Sequence, residues 1–445
     1  MQAKVNKVKG ASSSRTKALG GRVRAPGDKS ISHRALILGA LARGTTRITG
    51  LLEGDDILHT AEAMQGFGAD VSRDIIDQEP VWTVTGANWK SPEHEIDFGN
   101  AGTGARLIMG AAAGFPLKAN YTGDASLSSR PMGRVLTPLR KMGATFKSDD
   151  DKLPITQKKG GKLKAINFTP PHASAQVKSA LLLAGLNAEG TTEIIESRPT
   201  RDHTENMFEA FGVPVKRKTS SMGNHISIEG PAALTATPVN VPGDPSSAAF
   251  LIAAALIVPG SDIIIENVMM NPARTGLFEV LTRMGAFIRN DNFRRSGGET
   301  IADIHVKHSK LTGVDVPASQ VPSMVDEYPI LAVCAAYAHG RTDMRGLGEL
   351  RVKESDRLAG TFDLLKANGV IVEMQEDSLH VTGGDVEGGG IVATHHDHRL
   401  AMSALILGLG AEKPVRIDDA SMIATSFPSF FDLMAEIGAK IKVAK

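Results

Sequence analysis

Lys29, Ser30 and Arg34 lie in the stretch Pro26-Gly27-Asp28-Lys29-Ser30-Ile31-Ser32-His33-Arg34-Ala35-Leu36, just ahead of an apolar run that reads as a helix. A Pro-Gly turn delivers the three to the helix start, where free backbone N–H groups and about half a positive charge gather. That combination suits an anion. It is not a Walker A loop, which needs Gly directly before the Lys, a place held here by Asp28. Five further helix starts carry polar groups: Asn100-Ala101-Gly102-Thr103-Gly104-Ala105-Arg106, Ser174-Ala175-Gln176-Val177-Lys178, Ser246-Ser247, Asp326-Glu327 and His396-Asp397-His398-Arg399. One Ser or Asp is enough to cap a helix. Arg34, Arg106, Gln176 and Arg399 exceed that need and point to anion recognition.

Two more stretches add charge. The loop Asp124-Ala125-Ser126-Leu127-Ser128-Ser129-Arg130-Pro131 ends in an arginine. Arg351-Val352-Lys353-Glu354-Ser355-Asp356-Arg357-Leu358 reads as a helix with Lys353 and Arg357 on one face and Glu354 beside them. Like charges one turn apart repel, and a bound anion would relieve them. No metal site is expected from His395, His396 and His398. Residues 395 and 396 diverge on either a helix or a strand, and no HExxH spacing is present.

The elements that position these groups repeat six times. Glycines 68, 143, 212, 285, 369 and 438 each close an amphipathic helical pattern, at intervals of 75, 69, 73, 84 and 69 residues. Between them recur short helices that are apolar on all sides, such as Ser179-Ala180-Leu181-Leu182-Leu183-Ala184, beginning near Ser32, Gly104, Ser174, Ser246, Glu327 and His398. Helices of that kind belong inside a domain. With strand-like pieces such as Asp262-Ile263-Ile264-Ile265, each unit reads as βαβαββ. The expected fold is an α/β (α+β), two-domain, inside-out barrel with three repeats per domain, helices inside and sheets outside.

The turn Val23-Arg24-Ala25-Pro26-Gly27-Asp28 recurs as Val239-Asn240-Val241-Pro242-Gly243-Asp244, and the two are expected to be the crossings between domains. One domain then spans 28–242, and the other combines 20–27 with 243–445. Residues 1–19, with five cations and no acid, read as a flexible basic tail. If the buried helices of a domain are roughly parallel, their polar starts converge on a cleft between the domains.

Bulk composition narrows the function. The 50 Lys+Arg against 49 Asp+Glu, with 4% aromatic residues, supply neither the field nor the stacking surface of a nucleic-acid binder. No apolar run approaches the roughly 20 residues a bilayer requires. The one cysteine, Cys334, excludes a disulfide framework and a thiolate metal cluster. No cofactor or metal, a cytoplasmic location and a monomer are expected.

The motifs PGDKSxSxRAL at 26–36, FGNAGTGxR at 98–106, RPM at 130–132, SAQVKSALLLAGL at 174–186, DEYP at 326–329, RVKESDRL at 351–358 and DHRLAM at 397–402 resemble those of the 5-enolpyruvylshikimate-3-phosphate synthase family, in the family's order. The resemblance implies two three-repeat domains. It also implies transfer of the enolpyruvyl group of phosphoenolpyruvate to the 5-hydroxyl of shikimate 3-phosphate, on the shikimate route to chorismate and aromatic amino acids. Carried over by motif, Lys29, Ser30, Arg34, Ser174, Ala175, Gln176, Asp326 and Lys353 would hold shikimate 3-phosphate. Lys29, Gly102, Arg130, Gln176, Arg357 and Arg399 would surround phosphoenolpyruvate. Asp326 is the expected base for the hydroxyl, with Glu354 and Lys29 relaying a proton at the methylene. Two domains joined by two crossings are expected to close on the first substrate.

Many members carry Lys before Ser/Thr-Phe-Pro, where this chain has Ala424-Thr425-Ser426-Phe427-Pro428. That change and Arg201-Asp202-His203-Thr204-Glu205 resemble the bacterial subgroup that includes glyphosate-tolerant enzymes, and add Arg201 as a substrate-phosphate contact. Tolerant members can carry Ala at the position of Gly102. Three other readings compete: the sister transferase acting on UDP-N-acetylglucosamine, an RNA 3′-phosphate cyclase, and a non-catalytic phosphometabolite-binding protein. The sister enzyme uses a loop cysteine in its first domain, which is lacking here, and the cyclase would call for a basic excess.

Overall fold

The computed structural model describes residues 10–158 and 162–444. By contacts the chain divides into a first unit, Gly27–Pro242 with Arg295–Glu299, and a second, which holds the described residues up to Pro26, Gly243–Arg294 and those from Thr300 on. Each unit contains three sheets and three inner helices.

The inner helices of the first unit are Lys29–Leu41, Gly102–Ala112 and Ala175–Gly185; those of the second are Pro245–Ile257, Tyr328–Ala336 and His398–Leu407. Nearly every residue in them is buried. Those that escape are Lys29, Ser30, Leu41, Thr103, Arg106, Ala175, Gln176 and Arg399. All except Leu41 stand within the first five residues of their helix, so these helices meet solvent almost only at their starts. In the first unit two inner helices approach until a Cβ on Gly110 would lie 2.3 Å from the Ala180 carbonyl oxygen, a contact only glycine permits.

Every sheet sets a parallel pair beside two antiparallel pairings, and in five of the six the last of these is a hairpin. In the second repeat Ile96–Asp97 runs parallel to Ala119–Thr122, which pairs antiparallel with Ile155–Gln157 and through it with Phe146–Lys147. The first sheet takes its outer parallel strand, Val239–Asn240, from the far end of the first unit. The fourth takes its own, Gly20–Arg24, from the N-terminal side of the chain.

The outer helices end as the six glycines predict. Gly68, Gly143, Gly212, Gly285, Gly369 and Gly438 have φ between +79° and +107°. In each case the next residue's N–H reaches back five residues, as from Ala69 to the Met64 carbonyl and from Ala439 to the Met434 carbonyl. These are Schellman caps, which satisfy carbonyls that would otherwise lack partners.

Two expectations need correction. Residues 1–9 of the supposed tail lie outside the described residues, but Ala11–Ser13 is a strand with buried Ala11 and Ser13. It pairs with Val415–Ile417 on one side and Ile441–Val443 on the other, so it completes the sixth sheet. Alternation of Ala11 and Ser13 inward, too short to show as a pattern, decides this over the basic composition around it. Nor is Arg351–Leu358 one helix. A 3₁₀ turn, Leu347–Val352, ends before Lys353, and a new α-helix, Arg357–Ala367, starts at Arg357 under an Asp356 cap. Lys353 and Arg357 therefore share no helical face.

The glycines separate two costs. Gly438→Ala, with φ of +94° and nothing within 4 Å of the added methyl, is expected to lose about 1 kcal/mol from backbone strain alone. Gly110→Ala must push two inner helices apart and is expected to lose about 3 kcal/mol or more. Urea unfolding of the two variants measures both, and equal losses would contradict the packing described.

Candidate active site

In the first unit, Asp28 caps the first inner helix by accepting from Ile31 N–H at 2.7 Å, and its own N–H donates to the Pro242 carbonyl at 2.7 Å. The next residue, Lys29, forms an ion pair with Asp56 at the start of the helix Asp55–Gly66. Ser30 stands half-buried beside it. Arg34 is buried: Nε donates to Thr204 Oγ1 at 2.7 Å, Nη2 to Ser179 Oγ at 2.8 Å and Nη1 to the Ser30 carbonyl at 2.9 Å. Burial draws this guanidinium down to about 10.

A second group in the same unit surrounds Gly102. Arg106 Nη1 donates to Gln176 Oε1 at 2.9 Å, and Gln176 Nε2 to Thr103 Oγ1 at 2.9 Å, so two inner helices are joined at their starts. Arg130 Nη2 donates to Asn100 Oδ1 at 2.7 Å and Ser126 Oγ at 3.2 Å. A Cβ on Gly102 would lie 3.1 Å from Arg106 Nη1 and 3.3 Å from Arg130 Nη1, so the glycine sits between two guanidinium groups. Ser174 caps the third inner helix, with Ala175 its first residue.

In the second unit the organising group is Arg357, 1% exposed. Its Nε meets Asp397 Oδ2 at 2.7 Å, Nη1 meets Asp326 Oδ1 at 3.2 Å, and Nη2 meets Glu354. A buried guanidinium stands only with such partners, and here three carboxylates from three separate segments supply them. Burial works against its charge, but the carboxylates, Asp397 foremost, hold the Arg357 proton far above the ordinary range. Lys353 Nζ lies 3.7 Å from Asp326 Oδ1. Arg399 Nη1 donates to the Asp326 carbonyl at 3.1 Å and approaches Glu327 Oε1 at 3.4 Å. Asp397 also caps the sixth inner helix through Arg399 N–H.

Each site residue named from the sequence can now be placed. Lys29, Ser30, Arg34, Gly102, Arg130, Ser174, Ala175, Gln176 and Arg201 belong to the first unit, and Asp326, Lys353, Glu354, Arg357 and Arg399 to the second. Within the second unit, Asp326, Lys353, Glu354 and Arg357 come together although the sequence separates them by up to 31 residues. Reading the sequence did not single out Asp56, Asn100, Thr103 or Asp397 as partners. Asp56 and Asp397 each carry one signal, an acid within two residues of a helix start. Asn100 and Thr103 lie in a motif already quoted. Cys334 is fully buried, and burial pushes its thiol up to about 12.

The second cluster has a pH signature. Burial draws the His398 imidazole down to about 4. Asp397 stays below the ordinary carboxylate range: burial opposes this, but Arg357 and then His398 outweigh it. An unfolded chain protonates the histidine near 6.5. Stability is therefore complete above about pH 6.5 and falls as pH drops toward about 4, by about 3 kcal/mol for this group. The depressed Asp397 contributes above the ordinary carboxylate range and is lost only at lower pH. His398→Gln is expected to flatten the loss in urea midpoint between about pH 7 and about pH 5; an unchanged slope would remove His398 as its source.

Comparison with known proteins gives the family. A family model described as EPSP synthase (3-phosphoshikimate 1-carboxyvinyltransferase) matches residues 14–434. A 3-phosphoshikimate 1-carboxyvinyltransferase of Chelativorans sp. (strain BNC1) is 54% identical over 441 residues, covering 97% of each chain. One from Caulobacter vibrioides (strain NA1000 / CB15N) is 55% identical, covering 96% of this chain and 97% of its own. The solved structure of EPSP synthase from Acinetobacter baumannii superposes with a TM-score of 0.88 at 43% identity, covering 98% of this chain and all of that one. Matches of this length, running through both units and all six repeats, make the chain a member of the EPSP synthase (3-phosphoshikimate 1-carboxyvinyltransferase) family.

Proposed function

We propose that the chain transfers the enolpyruvyl group of phosphoenolpyruvate to the 5-hydroxyl of shikimate 3-phosphate, releasing inorganic phosphate. One observation carries this reading: a family match through both units, with Lys29, Asp326, Glu354 and Arg357 all present at helix starts or in the loops beside them. Both substrates bear a phosphate and a carboxylate, which gives a purpose to cations beyond capping in a chain of net charge +1.

The roles divide by chemistry. Lys29, Ser30, Arg34, Ser174, Ala175, Gln176, Arg201, Asp326 and Lys353 bind shikimate 3-phosphate. Lys29, Gly102, Arg130, Gln176, Arg357 and Arg399 bind phosphoenolpyruvate. The two clusters act on one substrate pair in a cleft between the units, which closes on the first substrate. Asp326 accepts the proton of the attacking hydroxyl as its oxygen bonds to C2 of phosphoenolpyruvate, and Glu354 with Lys29 delivers a proton to C3. The tetrahedral adduct then loses phosphate and a C3 proton to give the enol ether. The environments of the two carboxylates differ: Glu354 pairs with Arg357, whereas Asp326 faces both Arg357 and Lys353. A monomer working in the cytoplasm completes the proposal. The exposed large apolar side chains are spread over separate strands and turns, and no helix among the described residues is long and apolar enough to cross a membrane.

The UDP-amino-sugar reading is not favoured, since the single cysteine is a core residue rather than a loop thiol. Phosphate release with shikimate 3-phosphate, against UDP-N-acetylglucosamine, decides between them; silence with the former would refute the proposal. Asp326→Ala is expected to lower kcat about a hundredfold or more in folded protein, and near-normal turnover would remove the base role. Gly102→Ala places a methyl against Arg106 and Arg130 and is expected to raise KM for phosphoenolpyruvate about tenfold, sparing KM for shikimate 3-phosphate.

A further inference from the structure

Beneath the third inner helix start of the first unit lies a buried ionic network that the proposed mechanism does not use. Lys178, 1% exposed, places Nζ 3.0 Å from Glu196 Oε2 and 2.7 Å from Glu205 Oε1, and 3.5 Å from the Thr200 carbonyl. Both carboxylates are themselves buried. Glu196 ends the strand Ala188–Glu196, and Glu205 lies in the first turn of the helix His203–Ala210. The Thr200 hydroxyl also bonds to Glu196. One ammonium therefore ties both ends and the middle of the segment 197–202, which carries Arg201.

The same network reaches Arg34. Thr204 and Ser179, the acceptors of Arg34 Nε and Nη2, are the chain neighbours of Glu205 and Lys178, and Thr204 Oγ1 donates to Ser179 Oγ at 2.7 Å. The carboxylates have few other polar partners for so buried a position. Burial pushes the Glu205 carboxyl up, and Lys178 is the first group that opposes it. Without the ammonium, two buried acids would face each other and the segment between them would lose its anchor.

We propose that Lys178 is a positioning residue for the shikimate 3-phosphate side of the site: by clamping Glu196, Thr200 and Glu205 it fixes Arg201 and, through Ser179 and Thr204, the guanidinium of Arg34. This deepens the reaction proposed above and rests on it. Lys178 touches no substrate. A merely structural lysine would, when lost, impair both substrates or stability alone; a positioning one impairs the substrate whose phosphate its segment meets.

The test uses the full chain, with wild-type turnover as the check on the reaction itself. Lys178→Met is expected to raise KM for shikimate 3-phosphate about tenfold, with KM for phosphoenolpyruvate changed less than about threefold. Lys178→Arg, which retains the charge, is expected to restore much of the loss. Arg201→Ala is expected to mimic Lys178→Met, and the double variant to lose little more than either single one. Equal increases for both substrates, or fully additive losses, would overturn the proposal. Should Lys178→Met fail to fold, Glu205→Gln carries the same selective expectation, and an unchanged KM for shikimate 3-phosphate in that variant would overturn it equally. Calorimetric binding of shikimate 3-phosphate alone reads the placement without turnover, so failure of the reaction and failure of the placement are told apart.

Discussion

An α-helix buried around its whole circumference carries few polar side chains away from its ends. Six such helices form the interior of this chain, and most of its chemistry follows from that restriction. Their flanks are mostly small and branched apolar residues because a polar flank needs a buried partner, as Arg34 and Lys178 have. Their starts are rich in N–H donors that need acceptors, and Asp28, Ser174, Asp244 and Asp397 supply these as caps. Once a cap is in place the start still carries a positive end of the helix dipole, and the side chains added there decide whether it receives an anion or holds a carboxylate.

The two units answer that choice differently. In the first, Arg34, Arg106 and Arg130 donate to hydroxyls, amides and carbonyls. In the second, Asp326, Glu327, Glu354 and Asp397 stand among Lys353, Arg357 and Arg399, so the acids balance the cations. An arrangement with surplus cations recognises phosphate and carboxylate groups. An arrangement with carboxylates locked to a buried guanidinium sets the direction of lone pairs and protons. In the roles proposed above, both tasks draw on both units: Lys29 of the first takes part in proton delivery, and Lys353, Arg357 and Arg399 of the second in binding.

How much of this a sequence reveals depends on the range of the interaction. The outer-helix caps were legible because a Schellman turn is local: Gly143 and its partners lie within six residues of one another. The all-apolar inner helices were legible for the same reason, since composition alone marks a helix with no wet face. What escaped was pairing at distance. Lys178 looks like one more lysine near a helix start, and only the fold brings Glu196 and Glu205 to it. Lys353 and Arg357 suggest a shared face by spacing, but the chain breaks between them because Asp356 makes a better cap than a mid-helix residue. Three residues at 11–13 are too few for a period, and their strand exists because the sixth sheet lacked its inner member.

That strand sets an order of events during synthesis. Ala11–Ser13 lies between Val415–Ile417 and Ile441–Val443, and Gly20–Arg24 pairs with Asp262–Glu266, so both strands wait for partners made far later. The first unit waits less: Val239–Asn240 completes its first sheet, and only Arg295–Glu299, whose Glu299 meets His203, comes later. Contacts so far apart in sequence form slowly. A nascent chain thus holds a largely formed first unit beside an open second one whose strand edges stay unpaired until Ile441–Val443 has emerged. Chaperone demand and vulnerability to proteases should accordingly fall on the second unit, the half of the molecule that carries the carboxylates.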